Sequence, residues 1–412
     1  MPATEPIRIV HASDLRLDRP LHGLSAAPDD LRPLLRDAPI EAAERVFETA
    51  LAENADAVLL SGDVLETRRA SPRLVAFLVN QFERLDRRGI AVFWAGGELD
   101  PPDAWPRTER LPGNVTVFPI GRVESHELRR RDSVIAVVQG TSKPADREVD
   151  ASQFHHDAHG RFTIGVAYGT SDAAGKEGDR VDYMALGGRA RRATVDHEPG
   201  VAHFAGSPQG RHPGEQGPSG CTVVQVDEQG KARTRFVATD TVRWQEETVE
   251  FTAGTTAEQL QARLRERLDK LAMRGKGTHQ LVAWTVRGVG PLVAELRPDG
   301  LAGELLTDLQ QHAGRQKPLA WSYALRCDSV YDPPHELRDQ ETILGDLLRQ
   351  VEVLRRNEAF VLDLGQMLPK PLPDPSLESL SAIDGADDRA ELFDRAAKLG
   401  VALMTGPEPA AR

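Results

Sequence analysis

The sequence predicts an α/β fold built on parallel strands, and three observations lead there. Ile7 to Val10, Ala57 to Leu60 and Ile90 to Trp94 are apolar runs of strand length. Between them, Ile40 to Ala52 and Pro72 to Arg88 carry helical periodicity, with Leu74, Phe77, Leu78, Phe82 and Leu85 on one stripe and Gly89 as a stop. Each strand run also ends at a short polar motif, which is where open α/β sheets place their ligands. Strand, helix, strand, helix, strand implies parallel pairing through right-handed crossovers.

After residue 113 the rhythm changes to strands with short connections: Val115 to Phe118, Val134 to Val138, Phe162 to Ala167, Val181 to Leu186 and Val201 to Phe204. A hairpin follows, Thr222 to Val226 and Ala232 to Val237, turning at Glu228-Gln229-Gly230. Together with the hairpin, these strands are expected to form a second sheet. The loops Asp146 to Gly160 and Ser171 to Asp179 are polar; His155, His156 and His159 in the first match no dedicated zinc spacing and are expected to be solvated. From Trp244 a second unit begins, with strands at Thr248 to Phe251, Gln280 to Val286 and Leu319 to Arg326 and helices at Ala257 to Met273 and Leu301 to His312. A long amphipathic helix, Leu337 to Asn357, comes next, then a Pro-rich linker at Leu368 to Pro375 and a last helix at Asp388 to Leu399.

A chain of 412 residues exceeds one ordinary core, and we divide it into residues 1–245, 246–335 and 336–412. Hydrophobic residues at 40% and charged residues at 28% describe a globular protein. No apolar run is long enough for a bilayer, and Met1 to Val10 lacks a signal-peptide layout, so the expectation is a cytoplasmic protein without a membrane partner. Cys221 and Cys327 lack metal spacing and are expected to pack as small hydrophobes. A net charge of -12 argues against general coating of nucleic acid and leaves room only for a local basic face.

Five motifs carry the chemistry: His11-Ala12-Ser13-Asp14-Leu15-Arg16, Gly62-Asp63-Val64-Leu65-Glu66, Gly97-Glu98-Leu99-Asp100, Tyr168-Gly169-Thr170 and Ala185-Leu186-Gly187-Gly188-Arg189-Ala190. In order, spacing and placement after strands they resemble the calcineurin-like metallophosphoesterases, and within them the SbcD-type DNA repair exonuclease subunit. That family reads Asp-x-His, Gly-Asp-x-x-Asp, Gly-Asn-His-Asp, a lone His, then Gly-His-x-His. Arg16 to Leu24, Leu111 to Phe118 and Gly206 to His212 extend the likeness, which covers most of the first 245 residues. It implies a four-layer sandwich of two β-sheets flanked by helices, with a small α/β capping domain that helps choose DNA ends, and C-terminal helices.

Carried over position by position, the family's seven metal ligands fall on Asp14, Arg16, Asp63, Glu98, Tyr168, Gly188 and Ala190. Only Asp14 and Asp63 keep the family's ligand; Asp63 is implied to bridge two metals and Asp14 to hold the first. Arg16 has no lone pair to give, and Gly188 and Ala190 have no side-chain donor. Tyr168 ligates only as a phenolate, whereas Glu98 can replace an Asn through oxygen. Leu99 stands where the family's phosphate-contacting His would be.

Three functional readings follow from this degenerate set. The leading one is a catalytically silent SbcD-like protein with no catalytic residue and no resident cofactor. It would bind DNA ends or act as a scaffold with an SMC-like ATPase of the SbcC type; a homodimer is left open. In it Arg16 neutralises Asp14, Asp63 or Glu98 in place of metal. The second keeps one Mn or Mg on Asp14, Asp63 and Glu98 in an active exonuclease or phosphoesterase, with Arg16 on the substrate phosphate. The third is a non-catalytic binder of a phosphorylated small molecule, for which Arg16, Arg189, Arg191, Arg211 and His212 are the phosphate-binding candidates. The run Arg129 to Arg131 is assigned to solvent in a loop or helix end.

Overall fold

The computed structural model describes residues 6–24, 28–29, 31–146, 148–169, 180–196, 200–275, 277–313, 319–329, 335–357 and 386–405. The Pro-rich segment Leu368 to Pro375 and the loop Ser171 to Asp179 lie outside them. The chain divides into two units, Met1–Gln245 with Gly275–Leu281, and Glu246–Arg274 with Val282–Arg412.

In the first unit the β-α alternation gives β1 (Ile7–Ala12), α1 (Leu31–Ala52), β2 (Ala57–Leu60), α2 (Pro72–Asp86), β3 (Ala91–Trp94) and β4 (Val115–Val117). Strands with short connections follow: β5 (Glu124–Arg130), β6 (Ser133–Thr141), β7 (Thr163–Tyr168), β8 (Tyr183–Gly187), β9 (Ala193–Asp196) and β10 (Val201–Phe204). The hairpin is β11 (Gly220–Val226) and β12 (Ala232–Ala238). Two six-stranded sheets result, ordered β12-β11-β1-β2-β3-β4 and β5-β6-β7-β8-β10-β9. In the first, β1 to β4 run parallel out to one edge and β11 joins β1 antiparallel; in the second, β6, β7, β8 and β10 run parallel between antiparallel β5 and β9.

The period-2 alternation of β1 sends Ile7 and Ile9 into the space between the sheets, where they meet Phe93, Phe118, Ile164, Val166 and Val224. Val10 and Ala12 face the other way, into a core with Val46 and Phe47 of α1 and Leu78 and Phe82 of α2. Those helices flank the first sheet. Among the described residues, Val149, Phe154 and Val181 cover the outward face of the second, against Met184, Leu186 and Phe204.

Several expectations need correction. The strand at Val115 and the hairpin belong to the first sheet, because Val115 pairs with Val92 and Val226 with Ile7. Helix α1 starts at Leu31, ahead of Ile40, and contains Pro39. Pro39 has no N–H to give to the Leu35 carbonyl. That carbonyl accepts the Leu21 N–H at 3.2 Å instead, tying the loop after the first motif to the helix. Arg129 and Arg130 are neither loop nor helix end: they lie on β5, a polar edge strand whose charges suit an exposed edge. Arg130 is not simply solvated, since its guanidinium grips Asp56 at 2.6 and 2.7 Å, and Arg131 takes φ 55° in the turn that follows.

A three-stranded sheet, ordered β13-β14-β15, is made by β13 (Val242–Phe251), β14 (His279–Gly288) and β15 (Ala320–Ser329), with most of its residues in the second unit. Helices α3 (Ala257–Arg274) and α5 (Leu301–Ala313), with the short α4 (Leu292–Glu295) between them, bury Leu260, Leu264, Leu305 and Leu309 against Val282 and Trp284. The long helix expected from Leu337 is two pieces, α6 (His335–Arg338) and α7 (Ile343–Arg356), because Thr342 caps a new start by accepting the Gly345 N–H. Leu348 of α7 is buried, and Arg389 of α8 (Ala386–Thr405) donates to the Leu354 carbonyl, so α7 packs part of its apolar stripe within its own unit. Cys221 is buried and Cys327 half-buried.

Candidate functional site

The site is made by the loops that leave β1, β2, β3, β7 and β8. The first two are zipped together: the N–H groups of Asp14, Arg16 and Leu17 donate to the carbonyls of Gly62, Asp63 and Val64 at 2.9 to 3.1 Å. This pairing holds Asp14, Arg16 and Asp63 in left-handed conformations, with φ of 54°, 44° and 54°. Each costs a non-glycine residue of order 1 kcal/mol or more, so the neighbouring structure must impose it. Gly62, at φ 93°, is needed for space as well as conformation, since a methyl group there would stand 2.5 Å from the Tyr168 ring.

Arg16 reaches back across the two acids. Its Nη2 donates to Asp14 Oδ1 at 3.0 Å and to Asp63 Oδ2 at 2.9 Å, and its Nε donates to Asp63 Oδ2 at 3.2 Å. Both carboxylates accept further hydrogen bonds. Asp63 Oδ1 accepts the N–H groups of Glu98 and Leu99, Asp63 Oδ2 accepts the Tyr168 hydroxyl at 3.1 Å, and Asp14 Oδ2 accepts the Gly188 N–H at 2.9 Å. Burial pushes the Asp14 carboxyl up to about 6, against the pull of Arg16 and of the Gly188 N–H. Burial and the nearby Asp63 charge raise the Tyr168 phenol far above its usual value, so it stays protonated and acts as a donor.

Glu98 stands apart from this cluster. Only its backbone N–H reaches Asp63, while its largely exposed carboxylate pairs with Lys143 Nζ at 2.7 Å. Two acids share the centre, where three were expected. Lys143 sits 45 residues away from Glu98 in the sequence, and nothing local marks it. Asp100 is the other residue whose role the sequence leaves unassigned. Fully inside, it accepts four hydrogen bonds, from the N–H groups of Asp63, Val64 and Gly97 and from Trp94 Nε1, and thereby fixes the loop that aims Asp63. Its place as the closing Asp of the third motif is the signal that could have found it.

The arginines near the β8 loop have separate engagements. Arg189 lies 4.2 Å from the Phe204 ring centroid, a cation–π contact. Arg191 donates to the Gly214 carbonyl at 3.2 Å. Arg211 is buried, pairs with Glu215, and points Nη1 at the Asp14 carbonyl at 3.4 Å; His212 also faces Glu215. Of the phosphate-binding candidates, Arg16 alone bonds the Asp14 and Asp63 carboxylates, while Arg211 reaches the Asp14 backbone carbonyl and pairs with Glu215, His212 is turned to Glu215 and Arg191 to Gly214.

No family model matches the chain. Among curated proteins it is 26% identical over 369 residues to a protein called uncharacterized metallophosphoesterase YhaO from Bacillus subtilis (strain 168), covering 84% of this chain and 87% of that one. Over most of its length the chain is thus similar to a protein named as a metallophosphoesterase. Among solved structures, TT1561 of Thermus thermophilus aligns with a TM-score of 0.34 and 12% identity over 56% of this chain and 99% of its own, a likeness too weak to carry an argument.

Metallophosphoesterases usually work with divalent metals, which makes the fit of this donor set a question of geometry. Two-metal hydrolysis needs a cluster of carboxylate, amide and imidazole ligands around cations roughly 3.5 to 4 Å apart. Here a guanidinium lies between the two surviving acids, Tyr168 offers a proton, and Gly188 and Ala190 offer no side-chain donor atom. Among the described residues no group of three or more His, Cys, Asp or Glu side chains is placed to hold a metal, the loop histidines included. The residues present do not fit a two-metal centre.

Proposed function

We propose that this metallophosphoesterase relative is a catalytically silent protein of the SbcD type, one that binds DNA ends or serves as a scaffold without cutting. The observation that carries the reading is Arg16, whose guanidinium contacts both Asp14 and Asp63 at 2.9 to 3.0 Å in the place where the family resemblance implies metal. A fixed cation there supplies the counter-charge that divalent ions would, but it cannot carry or activate a water. The single-metal alternative would require Glu98 to leave Lys143 and Arg16 to leave both acids.

For a partner, an SMC-like ATPase of the SbcC type remains part of the proposal. Ile343 and Val353 on α7 are 78% and 59% exposed, which leaves apolar side chains on that helix open to a partner groove.

A gel assay on a labelled linear duplex, with Mn present, tests the reading. We expect the linear duplex to be retarded and to keep its full length, with a covalently closed circle of the same sequence retarded less. Loss of a single electrostatic group typically costs about a hundredfold in rate, and here most of the set is replaced. Mn-dependent shortening that vanishes in Asp63→Ala would overturn the proposal.

A further inference from the structure

We propose that the cleft bounded by Arg191, Arg192 and Phe236 binds a nucleoside monophosphate unit, either free or at the 5′ end of a DNA strand. The cleft encloses about 290 Å³. Ligand clefts begin at roughly 300 Å³, so this one sits at the small end, on the scale of one nucleotide and of no longer segment. Its floor is small, made by Ala190, Ala205, Gly206 and Gly220, and a methyl group on Gly206 would approach the Arg192 backbone N to 2.7 Å.

The chemistry at the rim is divided between anion and ring. Arg191 uses one N–H on the Gly214 carbonyl, and Arg192 donates to the hydroxyls of Thr222 and Thr234 at 3.4 and 3.2 Å. Neither has a carboxylate partner among the described residues, whereas exposed arginines elsewhere in this unit, such as Arg36 and Arg129, hold one. Glu215 also lines the cleft, but its carboxylate accepts the Arg211 N–H at 2.8 Å and pairs with the Arg211 guanidinium. Two guanidiniums are therefore available to a phosphate, for which their planar fork is well shaped. The half-buried Phe236 ring, with the Arg192 guanidinium 6.0 Å from its centroid, offers a flat apolar surface for a base, and Ser207 and Ser219 line the same cleft. None of this depends on whether the Asp14 and Asp63 site is silent.

Calorimetric titration of the full chain tests the proposal with five probes: deoxyadenosine monophosphate, deoxyadenosine, inorganic phosphate, and a short duplex with 5′-phosphate or 5′-hydroxyl ends. The monophosphate should bind about tenfold or more tightly than either the nucleoside or phosphate alone, as expected when a charged hydrogen bond and a stacking surface each contribute. Arg191→Gln and Phe236→Leu, both confirmed folded by their melts, should each weaken it about tenfold. Arg129→Gln, on the opposite edge of the second sheet, should not. Tighter binding of the 5′-phosphorylated duplex than of the free nucleotide assigns the ligand to DNA ends; the reverse order assigns it to free nucleotide, and either upholds the cleft. Phosphate alone matching the monophosphate, unchanged binding by both variants, or no heat at millimolar nucleotide would each overturn it.

Discussion

Arg16→Ala is expected to lower the free energy of unfolding by about 3 kcal/mol at pH 8, near the lower end of what breaking one partner of a buried ion pair costs. The loss leaves Asp14 and Asp63, each 1% exposed, facing one another without a cation. Arg16 is itself 25% exposed on its side chain, so water enters the gap and holds the cost to that lower end. The deficit should shrink on acidification. With Arg16 present, the folded-state value for Asp14 is already raised to about 6, above an ordinary 3.8. A carboxyl raised on folding contributes stability that is present at low pH and lost as pH rises through its folded value. Removing the guanidinium raises that value further, so the variant should sit closer to the parent at pH 5 than at pH 8. Urea unfolding at the two pH values reads this directly, and equal midpoints for variant and parent at pH 8 would remove Arg16 from its role.

Asp100→Asn should be nearly as damaging despite being isosteric, at about 2 to 4 kcal/mol, because it sets an amide NH2 against donors and leaves at least one buried N–H unmet. All four of its contacts come from N–H groups, three backbone and one indole, so no rotation of the Asn amide can satisfy both halves. The neighbouring Glu98→Gln is the contrast. Its carboxylate is largely exposed and touches only Lys143, so a change within about 0.5 kcal/mol is expected. A melt in which Asp100→Asn behaved like Glu98→Gln would show that Asp100 does not fix the Asp63 loop.

The parts of this architecture that were legible in the sequence are those written in local pattern. Apolar runs followed by polar motifs placed Asp14, Asp63 and Glu98 past the ends of β1, β2 and β3, since period and punctuation are properties of neighbouring residues. Sheet membership is not local. The hairpin joins the first sheet because Val226 pairs with Ile7, far away along the chain, and no pattern within β11 announces that partner. Strand β5 escapes a sequence reading for a related reason: Glu124 to Arg130 is polar almost throughout, as an exposed edge strand is free to be, and shows no apolar run. The places of Asp14, Asp63 and Glu98 in the loops after these strands were legible one by one, but not the pairing of Glu98 with Lys143, which takes the third acid out of the centre. The true start of α1 at Leu31 was not legible either, because the Leu35 carbonyl that Pro39 leaves without an intrahelical donor is met by Leu21, a partner outside the helix.

Metal content distinguishes a guanidinium from a bound metal cation at Asp14 and Asp63. Protein purified without chelator, incubated with excess Mn and then desalted, should carry well under one Mn per chain by elemental analysis, and the same result is expected for Asp63→Ala, because Arg16 and Tyr168 occupy the lone pairs a cation would need. One or more Mn retained per chain, falling to none in Asp63→Ala, would contradict the account and restore a working metal centre to this fold.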